Sequence, residues 1–211
     1  MAGKEHKASV REAATNRQRL HQQLAREKVK KAKRRLIVRI ASVAGVVVVA
    51  SLVVFGLLSA RPTDTTAAVQ APAFTMNSTA GTTVSLSDYR GKTVLLYFNE
   101  GAGCGACSQQ MASIEKNPGF AEAGITILPI VMNTQAQIQP DLDSMGVKTP
   151  YLLDDGTASK AYDVLGKGMH AGLPGHGFVL IDGNGIERWQ GEYPSMWLDP
   201  AELLKTAKSK L

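Results

Sequence analysis

A chain of 211 residues has room for one domain of ordinary size plus something more. Its net charge of +6 is unevenly divided: residues 1–39 hold 13 Lys/Arg against 3 Asp/Glu, or +10, and the remainder hold 11 against 15, or −4. The basic pI therefore describes the first segment only, and overall basicity is excluded as a reason to read the main domain as a nucleic-acid binder.

Residues 1–39 form a basic segment, expected in the cytoplasm. Its stretch "REAATNRQRLHQQLAREKVKKAKRR" is rich in helix formers but carries no clean apolar stripe. Topology control, together with attraction to anionic lipid headgroups at about 1 kcal/mol per basic residue, accounts for it better than nucleic-acid binding. Ile40 to Ala60 follows, 21 residues without a charge. As a helix it would span about 31 Å, the thickness of a bilayer's hydrocarbon core. Lys28, Lys30, Lys31, Lys33, Arg34, Arg35 and Arg39 crowd its N-terminal flank, so the N-terminus is expected inside and the long remainder outside. The segment reads as an uncleaved, single-pass anchor contacting membrane lipid through residues 28–60. A cleaved signal peptide is the competing reading, with a polar front and an apolar stretch both long for that pattern.

Residues 61–72 are small, polar and Pro-flanked, as a linker should be. A single domain is expected over 73–211. There "TVSL" suggests a short strand, and Ser87 caps a short turn through Tyr89. "TVLLYF" (93–98) is a continuous apolar run expected as a strand buried on both faces. A helix is expected from Cys104 to Lys116, stopped at Asn117-Pro118-Gly119. A second buried strand follows at 125–133, then a helix over Thr134–Ser144 broken or kinked by Pro140. A short strand at 151–155 precedes a helix from Thr157 to Leu165. Strands 177–182 and 185–190 flank the turn "DGNG", and Asp199-Pro200 opens a closing helix to Ser209. This order predicts an α/β sandwich with a mixed sheet.

Both cysteines lie in "NEGAGCGACSQQM", between the apolar strand and the helix. Cys104 thereby falls at a helix N-terminus, where unpaired N–H groups and the helix dipole favour a thiolate. Thiols in such helix-start CxxC pairs titrate at about 3.5–7.5, against about 8.5 for a free thiol. Cys107, one turn in, is expected to be more buried and within reach of a mixed disulfide on Cys104. A purely structural disulfide closing so short a loop would be a poor staple. One CxxC is half a zinc site, but Cu(I) could take Cys104 and Cys107 with His170 or His176 of "MHAGLPGHG", Met169 being a soft third ligand. Glu100 is either a proton acceptor for Cys107 or a solvated loop charge. No Gly-rich phosphate loop is present, so no organic cofactor is implied beyond the redox-active disulfide itself.

"FTMNSTAGTTVSLSDYRGKTVLLYFNEGAGCGACSQQM" resembles the opening of the thioredoxin-like redoxins, and "FVLIDGNGIERWQG" resembles their central hairpin. That superfamily includes the membrane-tethered thiol–disulfide oxidoreductases and the peroxiredoxins of the alkyl hydroperoxide reductase/thiol-specific antioxidant group. The resemblance covers residues 73 to 211 and implies a thioredoxin-like three-layer sandwich with a mixed sheet, preceded by one transmembrane helix. It implies Cys104 as nucleophile and Cys107 as resolving thiol, exchanging disulfides with protein thiols outside the cytoplasm and served by an unidentified electron donor. Two departures stand out. Gly103 occupies the place of the Trp in W-C-x-x-C, and the peroxiredoxin pattern P-x-x-x-T-x-x-C is unmatched in "NEGAG". The cis-Pro place before the hairpin strand falls on His176, with Pro174 two residues early, so either residue is expected to support the site. A peroxiredoxin-like peroxidase, and a copper-handling module without enzymatic activity, remain as alternatives.

Overall fold

The computed structural model describes residues 30–31, 33–35, 37–56, 62–66 and 68–211. It divides into two compact units, Met1–Leu57 and Leu58–Leu211. Within the first, helix α1 (Lys33–Gly56) holds an 18-residue window of mean hydropathy 2.5, none of it buried against other protein among the described residues. It is long and apolar enough to cross a membrane, and a signal sequence would share both properties. It starts earlier than the expected Ile40, because Lys and Arg are good helix formers and continue the helix through the basic flank. Residues 1–29 and 57–60 lie outside the described residues, so the expected N-terminal segment and the end of the span are not described.

The second unit is built on one nine-stranded mixed sheet. Its centre is β5 (Thr93–Phe98), paired parallel with β6 (Ile125–Val131) and antiparallel with β8 (Gly177–Ile181). Every β5 residue after Thr93 is buried. Leu95 and Tyr97 face one core, and Val94, Leu96 and Phe98 face the other, which is why the run is apolar rather than alternating. Outward from β6 come β7 (Leu152–Leu153), β3 (Thr75–Ser78) and β4 (Thr83–Ser85); outward from β8 comes β9 (Ile186–Glu192).

Helices α2 (Gly105–Glu115), α3 (Gly119–Glu122), α4 (Gln135–Met145) and α6 (Pro200–Ser209) contribute Met111, Ile114, Phe120, Ile138, Leu142 and Leu203 to the core that holds Tyr97, Phe178 and Trp189. On the other face α5 (Thr157–Ala161) and a 3₁₀ turn at Leu86–Tyr89 cover Val94, Leu96, Phe98 and Ile130. Helices on both faces of a mixed sheet make the expected three-layer sandwich.

Three expectations are corrected. Residues 61–72 are not a free linker: β1 (Thr63–Thr65) and β2 (Val69–Gln70) lie antiparallel along β9, and the Gln70 amide donates to the Gly185 carbonyl at 2.8 Å. A polar, Thr-rich segment reads as tether, yet β9 would otherwise be an open edge with unpaired backbone groups. Pro140 does not break α4: the bond it removes ends on the carbonyl of exposed Ala136, which water can satisfy, and the Thr134–Gln137 capping box secures the first turn. Helix α5 ends at Ala161, four residues short of Leu165, because Tyr162 turns inward to donate its hydroxyl to the Pro72 carbonyl at 2.7 Å.

If β1 and β2 are part of the sheet, a fragment beginning at Pro62 will be more stable than one beginning at Ala73. Urea denaturation should separate them by about 1–3 kcal/mol, the net value of a few ladder hydrogen bonds.

Candidate active site

The site begins where β5 runs out. Residues 99–104 leave the sheet as a tight loop in which the N–H groups of residues 101–104 each meet a nearby acceptor. Gly101 N–H donates to Asn99 Oδ1 (3.1 Å), Ala102 N–H to Asn133 Oδ1 (2.9 Å), Gly103 N–H to Asp141 Oδ2 (2.7 Å) and Cys104 N–H to the Gly101 carbonyl (3.0 Å). Gly101 and Gly103 have φ of +80° and +89°, the left-handed region that glycine tolerates. Cys104 is then the N-cap of α2, and its sulfur accepts from the Cys107 N–H at 3.3 Å.

The two cysteines form a disulfide, with Cα atoms 5.3 Å apart. Cys104 is part-exposed and Cys107 is fully buried, so an incoming sulfur meets Cys104 first. The expected difference in burial between the two cysteines is present.

Beneath the pair lies an aromatic group that sequence reasoning took only as strand core. The Tyr97 hydroxyl donates to the Cys107 carbonyl at 3.1 Å and lies 3.2 Å from His176 Nδ1. The Tyr97 ring stacks on Phe178 with centroids 4.8 Å apart, and His176 meets both rings edge-on. His176 is 1% exposed, and burial lowers its pKa to about 4, so it is neutral near pH 7. Burial also holds the Tyr97 hydroxyl well above its ordinary range. Among the described residues no peptide bond is cis; Pro174 is buried and bridges to Leu165, and it is His176 that lies one hydroxyl away from Cys107. Nothing in sequence marked Tyr97, because an aromatic residue in an apolar run reads as core.

Glu100 is not the solvated loop charge of one expectation. It is 3% exposed, and its carboxylate accepts from the Met169 N–H (2.6 Å), the His170 N–H (3.3 Å) and, across 2.9 Å, pairs with His170 Nδ1. It anchors the 168–170 loop rather than standing in solvent. The four groups of the copper reading are not gathered: the thiols are joined, His170 is held by Glu100 and His176 by Tyr97. Among the described residues no group of three or more His, Cys, Asp or Glu side chains is arranged to hold a metal.

Residues 67–190, more than half of the chain, match the model of the AhpC/TSA family. The chain belongs to that family. A peroxiredoxin candidate of Mycobacterium tuberculosis is 34% identical over 95 residues, covering 44% of this chain and 60% of its own length. Peroxiredoxin 2 of Thermoplasma acidophilum is 30% identical over 134 residues, covering 60% of this chain and 66% of its own. The chain thus spans less than two thirds of the length of these curated relatives. The reduced 2-Cys peroxiredoxin of Plasmodium vivax superimposes with a TM-score of 0.59 at 23% identity, over 69% of this chain and 96% of that one, a likeness of fold.

In the peroxiredoxin pattern P-x-x-x-T-x-x-C the threonine would fall three residues before Cys104, at Gly101. A Cβ there would overlap Asn133 Oδ1, and the positive φ is costly for a β-branched residue. The loop is therefore closed to that residue by its own geometry. Gly101→Thr is expected to lower stability by roughly 1–3 kcal/mol, read from urea midpoints at unchanged slope.

On the opposite face of the sheet Glu192 lies over Gly177, 8% exposed, with neither carboxylate oxygen bonded among the described residues. Burial raises its pKa to about 7, against opposing pulls from Gln190 and Lys167. Between pH 4.5 and 7 the unfolded chain has released a proton that the native chain retains, so this group makes stability fall as pH rises through that window. Glu192→Gln should flatten that fall, measured as the difference between variant and parent urea midpoints at pH 5 and pH 7.5.

Proposed function

We propose that the protein is a thiol–disulfide oxidoreductase of the redoxin type, anchored in the cell membrane with its C-terminal domain outside the cytoplasm. The observation that carries this reading is the Cys104–Cys107 pair itself: an N-capping, part-exposed sulfur joined to a buried one, one helical turn apart. In this reaction the Cys104 thiolate attacks a disulfide of a protein partner; one partner sulfur leaves as thiolate and the other is held as a mixed disulfide. Cys107 then attacks Cys104 Sγ, releasing the second partner thiol and leaving the pair oxidised for a separate electron donor to reduce. The partner has gained two electrons and the CxxC pair has lost them. No dissociable cofactor takes part. The apolar α1 and the basic residues before it support the anchor and its N-terminus-inside orientation.

A second reading, a thiol peroxidase working through the same cysteines, is favoured by the names of the curated relatives. The glycine loop before Cys104 weighs against it, because the place of the threonine that shields peroxide is filled by Asn133.

The two readings part in one experiment. Reduced protein is mixed in parallel with hydrogen peroxide and with a mixed-disulfide substrate, and loss of the Cys104 thiol is followed. Rapid disulfide exchange with peroxide no faster than for an ordinary thiolate supports the oxidoreductase; peroxide faster by orders of magnitude overturns it. Cys104→Ser should abolish either activity, while Cys107→Ser should accumulate the mixed disulfide.

A further inference from the structure

Gly103, the residue before Cys104, gives its N–H to Asp141 Oδ2 at 2.7 Å, across 38 positions of sequence. The bond joins the site loop to α4 and puts a carboxylate beside the exposed sulfur. Standard bond lengths allow at most about 8 Å from the Gly103 nitrogen to Cys104 Sγ, so that oxygen lies within about 11 Å of the sulfur. This is about one Debye length in 0.1 M salt, near enough for the charge to be felt at a part-exposed thiol. Among the described residues Asp141 enters no ion pair.

The other charges around the pair do not offset it. Loop 99–104, α2 and α4 contain no Lys, Arg or His, while they carry Glu100, Glu115, Asp141 and Asp143. His170 is paired with Glu100, and His176, against Tyr97, is neutral near pH 7. One feature favours a thiolate at Cys104: its sulfur accepts the Cys107 N–H at the start of α2. Asp141 works against it. A less stable thiolate makes the dithiol less stable relative to the disulfide, and so a stronger reductant. We propose that Asp141 poises the Cys104–Cys107 pair as a reductant, whose substrates are protein disulfides that the dithiol opens. The inference rests on the disulfide-exchange reading above and deepens it with a direction and a substrate class. The two cysteine thiols lose two electrons and two protons as their S–S bond forms; the partner's S–S bond breaks and becomes two thiols. A dithiol donor restores the pair by the same exchange run the other way. Asp141 touches no reacting atom: it is a positioning residue, acting through its charge and its bond to Gly103.

The test uses the full chain in detergent and Asp141→Asn, whose amide oxygen can still accept from the Gly103 N–H. Variant and parent are equilibrated with reduced and oxidised glutathione at pH 8.5, where the thiolate is populated. The equilibrium constant for oxidation of the pair should fall by roughly 2- to 10-fold in the variant, the range for one charge at this distance between effective dielectrics of about 80 and 20. The fall should be smaller at pH 5, where more of the thiol is protonated. Alkylation of Cys104 by iodoacetamide should reach half its maximal rate at lower pH in the variant, and the gap should shrink in 1 M salt, where the Debye length is about 3 Å. Asp143→Asn, on the same helix but bonded to the Gln139 side chain, should move both readings less. Unchanged readings, a shift of opposite sign, or a shift that salt leaves intact, as a loosened loop would give, overturn the inference. Should Asp141→Asn fail to fold, the parent decides: 1 M salt should move its own alkylation profile to lower pH, and a profile indifferent to salt overturns the proposal. A parent that forms no mixed disulfide with a chromogenic aromatic disulfide sinks the disulfide-exchange reading instead, whatever the alkylation profiles show, so the two failures are distinguishable.

Discussion

The site depends on one strand having no free surface. β5 is bonded along both edges and buried on both faces, so its direction and register are determined by four contacts at once. The chain leaving it at Asn99 has little latitude. It must turn within a few residues, and its N–H groups must find acceptors, since neighbouring strands no longer offer them. Asn99, Asn133 and Asp141 supply these from the loop itself, from the end of β6 and from α4. The position of Cys104 is thus the outcome of backbone hydrogen-bond satisfaction, and the start of α2 brings Cys107 to it one turn later. Because Tyr97 belongs to the same strand, the hydroxyl that reaches the Cys107 carbonyl is as rigidly placed as the loop above it.

Family and chemistry separate in this protein. The chain matches the AhpC/TSA family model over residues 67–190 and shares its fold with a 2-Cys peroxiredoxin, while the loop before Cys104 turns on two glycines of positive φ. At Gly101 a Cβ would meet the Asn133 side chain, which in turn bonds the Ala102 N–H, and the positive φ adds strain for any other residue. Close to the pair, a buried and neutral His176 meets the Tyr97 hydroxyl that bonds the Cys107 carbonyl. The site itself is a part-exposed sulfur backed by a buried one, on a scaffold whose relatives carry the name of peroxiredoxins.

Much of this was readable from the sequence, and for physical reasons. A run such as "TVLLYF" can be buried on both faces only as an interior strand, and Cys-x-x-Cys directly after it, before helix-forming residues, must cap a helix. Twenty-one uncharged residues beside a basic cluster have the length of a membrane span whatever the rest does. These features depend on neighbours within about ten positions and on the 2.0 and 3.6 residue periods. What failed depended on distant partners. Thr63–Thr65 became a strand because β9, more than a hundred residues away, had an edge to cover. Glu100 was buried because the 169–170 backbone offered it N–H groups. Tyr97 joined the site because His176 and Cys107 converge on it from elements 79 and 10 residues away. The sequence by itself determined the strand–CxxC–helix unit and the apolar span, both local consequences of polarity and spacing. Only the tertiary structure decided which polar groups surround the disulfide, because hydrogen-bond satisfaction in a buried layer is settled between elements that no local pattern connects.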